Sequence, residues 1–265
     1  MRRPSRSAVA AVALLAALGV SACAPKRIEL PSGAGTPYAD AAAVYEAAVK
    51  ECRAVRTMQA TLGLSGRAGT TTLRGNVDAG FEAPEMIRLE GRHPLGRPVF
   101  ILVAADAEST LYMPRDNRVM RKVPPASIVE ALVGLPLTPG ELRSMVSGCG
   151  FGAAEAAQGR EYSGGYVAVE TAGATTYLRQ QEGSWRVVAA SRPPLTILYS
   201  GFVSGRPTVV RVAASGSPKA DLTVRLSDVN LNVTLDKAVF AVEVPAGAEP
   251  LTLDELRRAG PLGGE

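Results

Sequence analysis

Two runs of alternating apolar and polar residues, separated by a pair of capped helical segments, constrain this chain more than any other feature. In the first run Leu62 and Leu64 alternate with polar or small residues, followed by Leu73, Val77 and Phe81, then Ile87 and Leu89, then Val99, Ile101 and Val103. Period two is the strand period, and successive strands joined by short turns make an antiparallel sheet with one apolar face. The second run predicts strands at Tyr166 to Thr171, Thr176 to Gln180, Trp185 to Ala190, Ile197 to Val203, Thr208 to Ala213 and Leu222 to Leu226. It continues with the alternation Val229, Leu231, Val233, Leu235 and a last strand at Val239 to Val244. About 10–12 strands exceed what stays open and flat in one sheet, so a strongly curved antiparallel sheet is expected.

Helical signals lie before, between and after these runs. From Tyr38 to Arg56 the residues Ala41, Val44, Tyr45, Ala48, Cys52 and Val55 recur at spacings of three and four, which predicts an amphipathic helix. In the middle, Ser127 precedes Glu130 by three residues, as Thr138 precedes Glu141, with Pro139 at a favoured first helical position; both read as capping boxes. Gly134 and Gly148 close the two segments. Two short helices bearing Ile128, Val129, Leu132, Val133, Leu142 and Val146 are thus inserted mid-sheet, and they need an apolar surface to cover. A third box, Thr252 with Glu255, starts a short helix in the tail, residues 251–265. The fold class is α+β.

The N-terminus reads as an address. Arg2, Arg3 and Arg6 precede an apolar run from Ala8 to Val20, too short for the roughly 20 residues that span a bilayer, and then Val20-Ser21-Ala22-Cys23. A cysteine directly after two small residues is the bacterial lipobox pattern. Residues 1–22 are therefore expected to be a lipoprotein signal peptide, and Cys23 the lipidated first residue of the mature chain. Each buried acyl methylene contributes about 0.8 kcal/mol, so three acyl chains hold such a protein firmly. Ala24, where Asp would retain the protein at the inner membrane, points to the outer membrane, with the domain facing the periplasm. Residues 23–37, rich in Pro, Gly, Ala and Ser, read as a flexible tether, and residues 38–250 as one domain.

Removing three arginines with the signal lowers 29 Lys and Arg to 26, against 25 Asp and Glu, a net charge of +1. That balance, without a basic cluster, gives no support for nucleic-acid binding. Cys52 and Cys149 remain in an oxidising compartment, where a disulfide between them is expected and two buried free thiols are the alternative. Two thiols and a single histidine, His93, fall short of a structural zinc set, so no metal or other cofactor is expected. No nucleophile elbow or histidine-partnered thiol is present, so no catalytic residue and no enzyme activity is expected.

One stretch resembles a known family. Ile87 to Arg97, a strand leading into the Pro94-Leu95-Gly96 turn, is followed by Asp116-Asn117-Arg118, by Ile128 to Leu137 with Gly134 and Pro136, and by Glu141-Leu142-Arg143 running to Ser147-Gly148. This pattern resembles the LolB-like outer-membrane lipoprotein receptors of the LolA/LolB superfamily, closely over residues 86–148 and by order of elements over most of the mature chain. The resemblance implies a half-barrel closed by a helical lid, whose apolar cavity holds acyl chains of lipoproteins or lipids. On this chain the cavity would be lined by Leu62, Leu64, Leu73, Val77, Phe81, Ile87, Leu89, Ile128, Leu132, Leu142 and Trp185. It implies that Leu95, flanked by Arg92 and Arg97, is a membrane-insertion tip. Implied partners are membrane lipids, acylated lipoproteins and a LolA-like periplasmic carrier, with the chain itself a monomer. The same scaffold also serves lipid- or glycolipid-binding and structural envelope lipoproteins, which stand as the alternative.

Overall fold

The computed structural model describes residues 29–92, 98–105, 108–152, 154–171, 173–216 and 219–259. The signal segment 1–22, Cys23, and the tip His93 to Arg97 with Leu95 lie outside the described residues. Among the described residues no helix is long and apolar enough to cross a membrane.

Among the described residues fifteen strands form one sheet. The first block contains β2 (Thr57–Ala68), β3 (Thr71–Glu82), β4 (Met86–Gly91), β5 (Phe100–Ala105), β6 (Glu108–Met113) and β7 (Arg118–Arg121). The second contains β8 (Gln158–Tyr162), β9 (Tyr166–Thr171), β10 (Ala174–Gln181), β11 (Ser184–Arg192), β12 (Leu195–Val203), β13 (Arg206–Ala214) and β14 (Ala220–Leu231). Each block is an antiparallel meander, and β14 pairs antiparallel with β2 to join them, Leu226 opposite Leu62 and Val224 opposite Leu64. Two-residue strands β1 (Thr36–Pro37) and β15 (Glu249–Pro250) border the sheet, the latter parallel to β7. Among the described residues the result is a large, open, curved and mostly antiparallel sheet with four helices.

This order has a topological consequence. Strands β7 and β8 are sequence neighbours but lie near opposite edges, twelve strand spacings apart. Flat, that is roughly 58 Å at about 4.8 Å per spacing, so the intervening segment has to travel across a face of the sheet. It carries helices α2 (Pro125–Val133) and α3 (Pro139–Ser147). Helix α1 (Ala41–Arg53) buries Ala41, Val44, Tyr45 and Val49, the stripe its periodicity demands, and packs against β8, β9 and β11. Helix α4 (Leu253–Ala259) buries Leu256 and docks on α2.

The helix ends show which local signals acted. Thr138 Oγ1 accepts from the Glu141 N–H at 3.2 Å while the Glu141 carboxylate accepts from the Thr138 N–H at 3.0 Å, the reciprocal box expected there. The same pair of bonds joins Thr252 and Glu255 at the start of α4. Ser127 is not a cap: α2 begins at Pro125 after Pro124, because proline at the first helical position fixes the start three residues earlier. Gly134 and Gly148 stand at φ 75° and 96°, the left-handed geometry in which glycine ends a helix cheaply.

The expected 10–12 strands fall short of the fifteen observed. Strands β1, β6, β7, β8 and β15 were not anticipated, and β8, Gln158 to Tyr162, has no fully buried residue to give an alternation. The expected strand Val239 to Val244 is instead a 3-10 helix, Lys237–Phe240, capped by the Asp236 side chain and followed by irregular chain. The alternation from Val229 continues β14 only to Leu231. Asn232 then adopts φ 53° and its side chain accepts from the Arg56 N–H at 2.8 Å, which ends the ladder.

Candidate functional site

The inner faces of six strands converge on a cavity of 90 Å³. Leu62 and Leu64 from β2, Val77 and Phe81 from β3, Leu89 from β4, Phe100 from β5, Val212 from β13, and Leu222 and Val224 from β14 supply one wall. Register explains the grouping: Leu62 lies opposite Val77, Leu64 opposite Val224 and Val212 opposite Leu222, so all point to the same face. Helix α2 supplies Val129, Leu132 and Val133, the connection Leu135 and Leu137, and α3 Leu142, Met145 and Val146. All seventeen lining residues are apolar. Such a wall offers no directional recognition; an occupant is held by buried apolar area, at about 25 cal/mol per Å².

The two covering helices are fastened differently. Helix α3 is tied at its start by the Glu141–Arg192 ion pair and by the Glu85 carboxylate, which accepts from the Gly140 N–H at 3.0 Å. Arg192 also stacks 4.3 Å from the Phe151 ring centroid. At the other end the Tyr199 hydroxyl, wholly buried, donates to the Met145 carbonyl and accepts from the Gly150 N–H, both at 2.9 Å. Burial pushes that phenol far above its usual range, so it stays a neutral donor. Just beyond, Cys149 is disulfide-bonded to Cys52 of α1, with Cα atoms 5.6 Å apart.

Helix α2 has lighter fastenings. It packs on β6 and on α4, to which Glu130 is linked by Arg257 at 3.7 Å. Helix α4 in turn is held by Arg118, which donates to both Glu255 oxygens at 2.9 Å. The Thr252 backbone and hydroxyl, together with Arg118, hold the Glu255 carboxyl down to about 2.

Seven of the eleven residues expected in the cavity line it: Leu62, Leu64, Val77, Phe81, Leu89, Leu132 and Leu142. Leu73, Ile87 and Ile128 are buried in the surrounding core and do not reach the cavity. Trp185 sits elsewhere, in a polar groove beside Cys52. On β5 the expected alternation marks the wrong face. The wall residue is Phe100, with Leu102 buried on the same face, whereas Val99, Ile101 and Val103 had been picked out. Strand β5 is apolar on both faces because the segment after β14 covers its outer side, where Val103, Tyr112 and Val119 are buried. Two-sided burial erases the alternation that would reveal orientation.

Fold and cavity together define a class: an open, curved antiparallel sheet that encloses a wholly apolar space beneath inserted helices. No protein-family model and no curated protein matches the sequence. Among solved structures, a DUF1329 family protein from Desulfovibrio piger is 12% identical, with a TM-score of 0.53 over 75% of this chain and 96% of that one, a likeness that shows the fold. A LolA superfamily protein from Nitrosomonas europaea is 11% identical with a TM-score of 0.47, covering 77% of this chain and 97% of that one. The Mycobacterium tuberculosis lipoprotein LppX is 11% identical with a TM-score of 0.33, over 74% and 98% of the respective chains.

Proposed function

We propose that this chain is a lipid-anchored outer-membrane protein of the LolA/LolB superfamily that binds acyl chains of lipoproteins or lipids in its apolar cavity and helps localise them to that membrane. The observation that carries the reading is the lining: among the described residues, seventeen apolar side chains and no polar one suit an acyl chain, which needs area and no hydrogen bonds. Helices α2 and α3 act as the lid. At 90 Å³ the cavity is well below the roughly 300–1,000 Å³ of sites that enclose a ligand, so an acyl chain enters only when the lid moves. Helix α3 is anchored by a disulfide and a buried tyrosine, so α2 with its α4 partner is the part that swings. Cys23 and the tether 24–37 keep the domain beside the membrane, and Leu95 between Arg92 and Arg97 enters the headgroup layer at release.

The small volume favours a second reading, a structural or lipid-binding envelope lipoprotein without receptor activity. Transfer separates the two. The domain without its signal and cysteine is mixed with a LolA-like carrier loaded with an acylated lipoprotein, and the cargo is followed by pull-down. Movement of cargo onto the domain is expected; cargo that stays on the carrier, while the domain still binds free acyl chains, removes the receptor role.

A further inference from the structure

We propose that a second, polar groove beside the apolar cavity binds an anionic group, a phosphate or a carboxylate, through Arg186, Arg206 and Lys50. The groove has a volume of 480 Å³ and lies where the second half of α1, the end of α3 and the turns β10–β11 and β12–β13 meet. Its apolar walls include Trp185 and Phe202, both half-buried.

Arg186 is the strongest indicator. Its side chain is half-buried, with the guanidinium 5.9 Å from the Phe202 ring centroid, and its Nε is buried with no acceptor. Among the described residues it makes no ion pair, nor do Arg206 and Lys50. The face of a phenyl ring offsets only part of the cost of burying the guanidinium's Nε without an acceptor. A carboxylate or phosphate, matching the guanidinium fork with two parallel hydrogen bonds, offsets the rest. Glu51 and Glu182 also line the groove; among the described residues neither forms an ion pair with the three cations, although Glu51 Oε2 and Arg186 Nη1 both border Gly205, and three positive charges outnumber two negative ones. Gly205 keeps the space beside the guanidinium clear: at φ 83°, a Cβ there would meet Arg186 Nη1 at 2.6 Å and Glu51 Oε2 at 3.0 Å.

Val146 lines the apolar cavity and the next residue, Ser147, lines the groove, so the two spaces flank one turn of α3. An amphiphile with an anionic head group would place its head in the groove and its chain in the cavity. That extension rests on the acyl-binding reading, whereas the anion site does not. A free small anion is the other source of the same chemistry.

Trp185 is the only tryptophan and stands in the groove, so its emission reports occupancy directly. The domain is titrated with inorganic phosphate, with dodecyl phosphate and with neutral dodecyl maltoside, while the neutral dye N-phenylnaphthylamine reports the apolar cavity separately. Saturable change with phosphate or dodecyl phosphate, weakened at least tenfold in Arg186→Gln, is expected. The exposed Arg206→Gln, whose folding is not at issue, should weaken it at least threefold. Dodecyl phosphate binding tenfold more tightly than inorganic phosphate assigns the site to a head group; equal affinities assign it to a free anion. No saturable response to either phosphate, or equal affinity in wild type and Arg206→Gln, overturns the proposal. Failure of the dye to bind would remove the acyl reading and leave the anion result standing.

Discussion

The bridge between Cys52 and Cys149 closes a loop of 97 residues and ties α1 to the end of α3. In the loop-entropy model a closure of that length is worth about 4.7 kcal/mol at 25 °C, and measured values run from about 2 to 5 kcal/mol. For a domain of this size about 1 kcal/mol moves the midpoint by roughly 2–4 °C, so losing the full amount lowers Tm by about 9–19 °C. Replacing both cysteines by alanine removes the bridge without placing a polar group at Cys149, which is only 3% exposed. Thermal unfolding followed by circular dichroism, on wild type and on the double variant, measures the difference. A fall below about 3 °C would refute the reasoning, as would two free thiols in non-reducing mass analysis of the wild type.

Three further outcomes are expected. Leu64→Asn puts an amide into a wall that offers it no partner, so N-phenylnaphthylamine affinity should fall about tenfold or more; unchanged affinity would place the dye outside the cavity. Leu95→Glu should leave acyl binding intact but slow delivery of cargo into vesicles, and equal delivery removes Leu95 from the mechanism. Glu255 has a folded-state pKa of about 2, depressed from 4.5, so its contribution to holding α4 is complete above about pH 4.5 and is lost as pH falls towards 2. Proteolytic release of the C-terminus over that window should lose its acid dependence in Glu255→Gln; identical profiles would show that Glu255 does not hold α4.

Much of the fold was legible because burial on one face forces alternation. Strands β2, β3 and β4 announced their inner residues that way, and Leu62, Leu64, Val77, Phe81 and Leu89 do line the cavity. The two inserted helices were legible from the Thr138 box and the glycines that end them. Orientation is hidden where a strand is covered on both sides, as at Phe100 in β5, and a strand next to the edge such as β8 is hidden because its burial is too slight to pattern the sequence. Val212, Leu222 and Val224 sat on strands that had been anticipated, but only the β14–β2 pairing, a contact between distant parts of the chain, brings them to the cavity. The groove at Arg186 had no local signature at all, since four separate segments build it.

The central claim is that the inner face of the sheet and the two inserted helices form an acyl-chain site. The most direct test is lipid analysis of the domain purified without its signal and lipidation cysteine, from a bacterial host, by organic extraction and mass spectrometry. The account predicts acyl lipid bound at close to one equivalent, lost when Leu64 is replaced by asparagine. Protein that is free of lipid, and that takes up neither fatty acid nor N-phenylnaphthylamine when these are supplied, would contradict it.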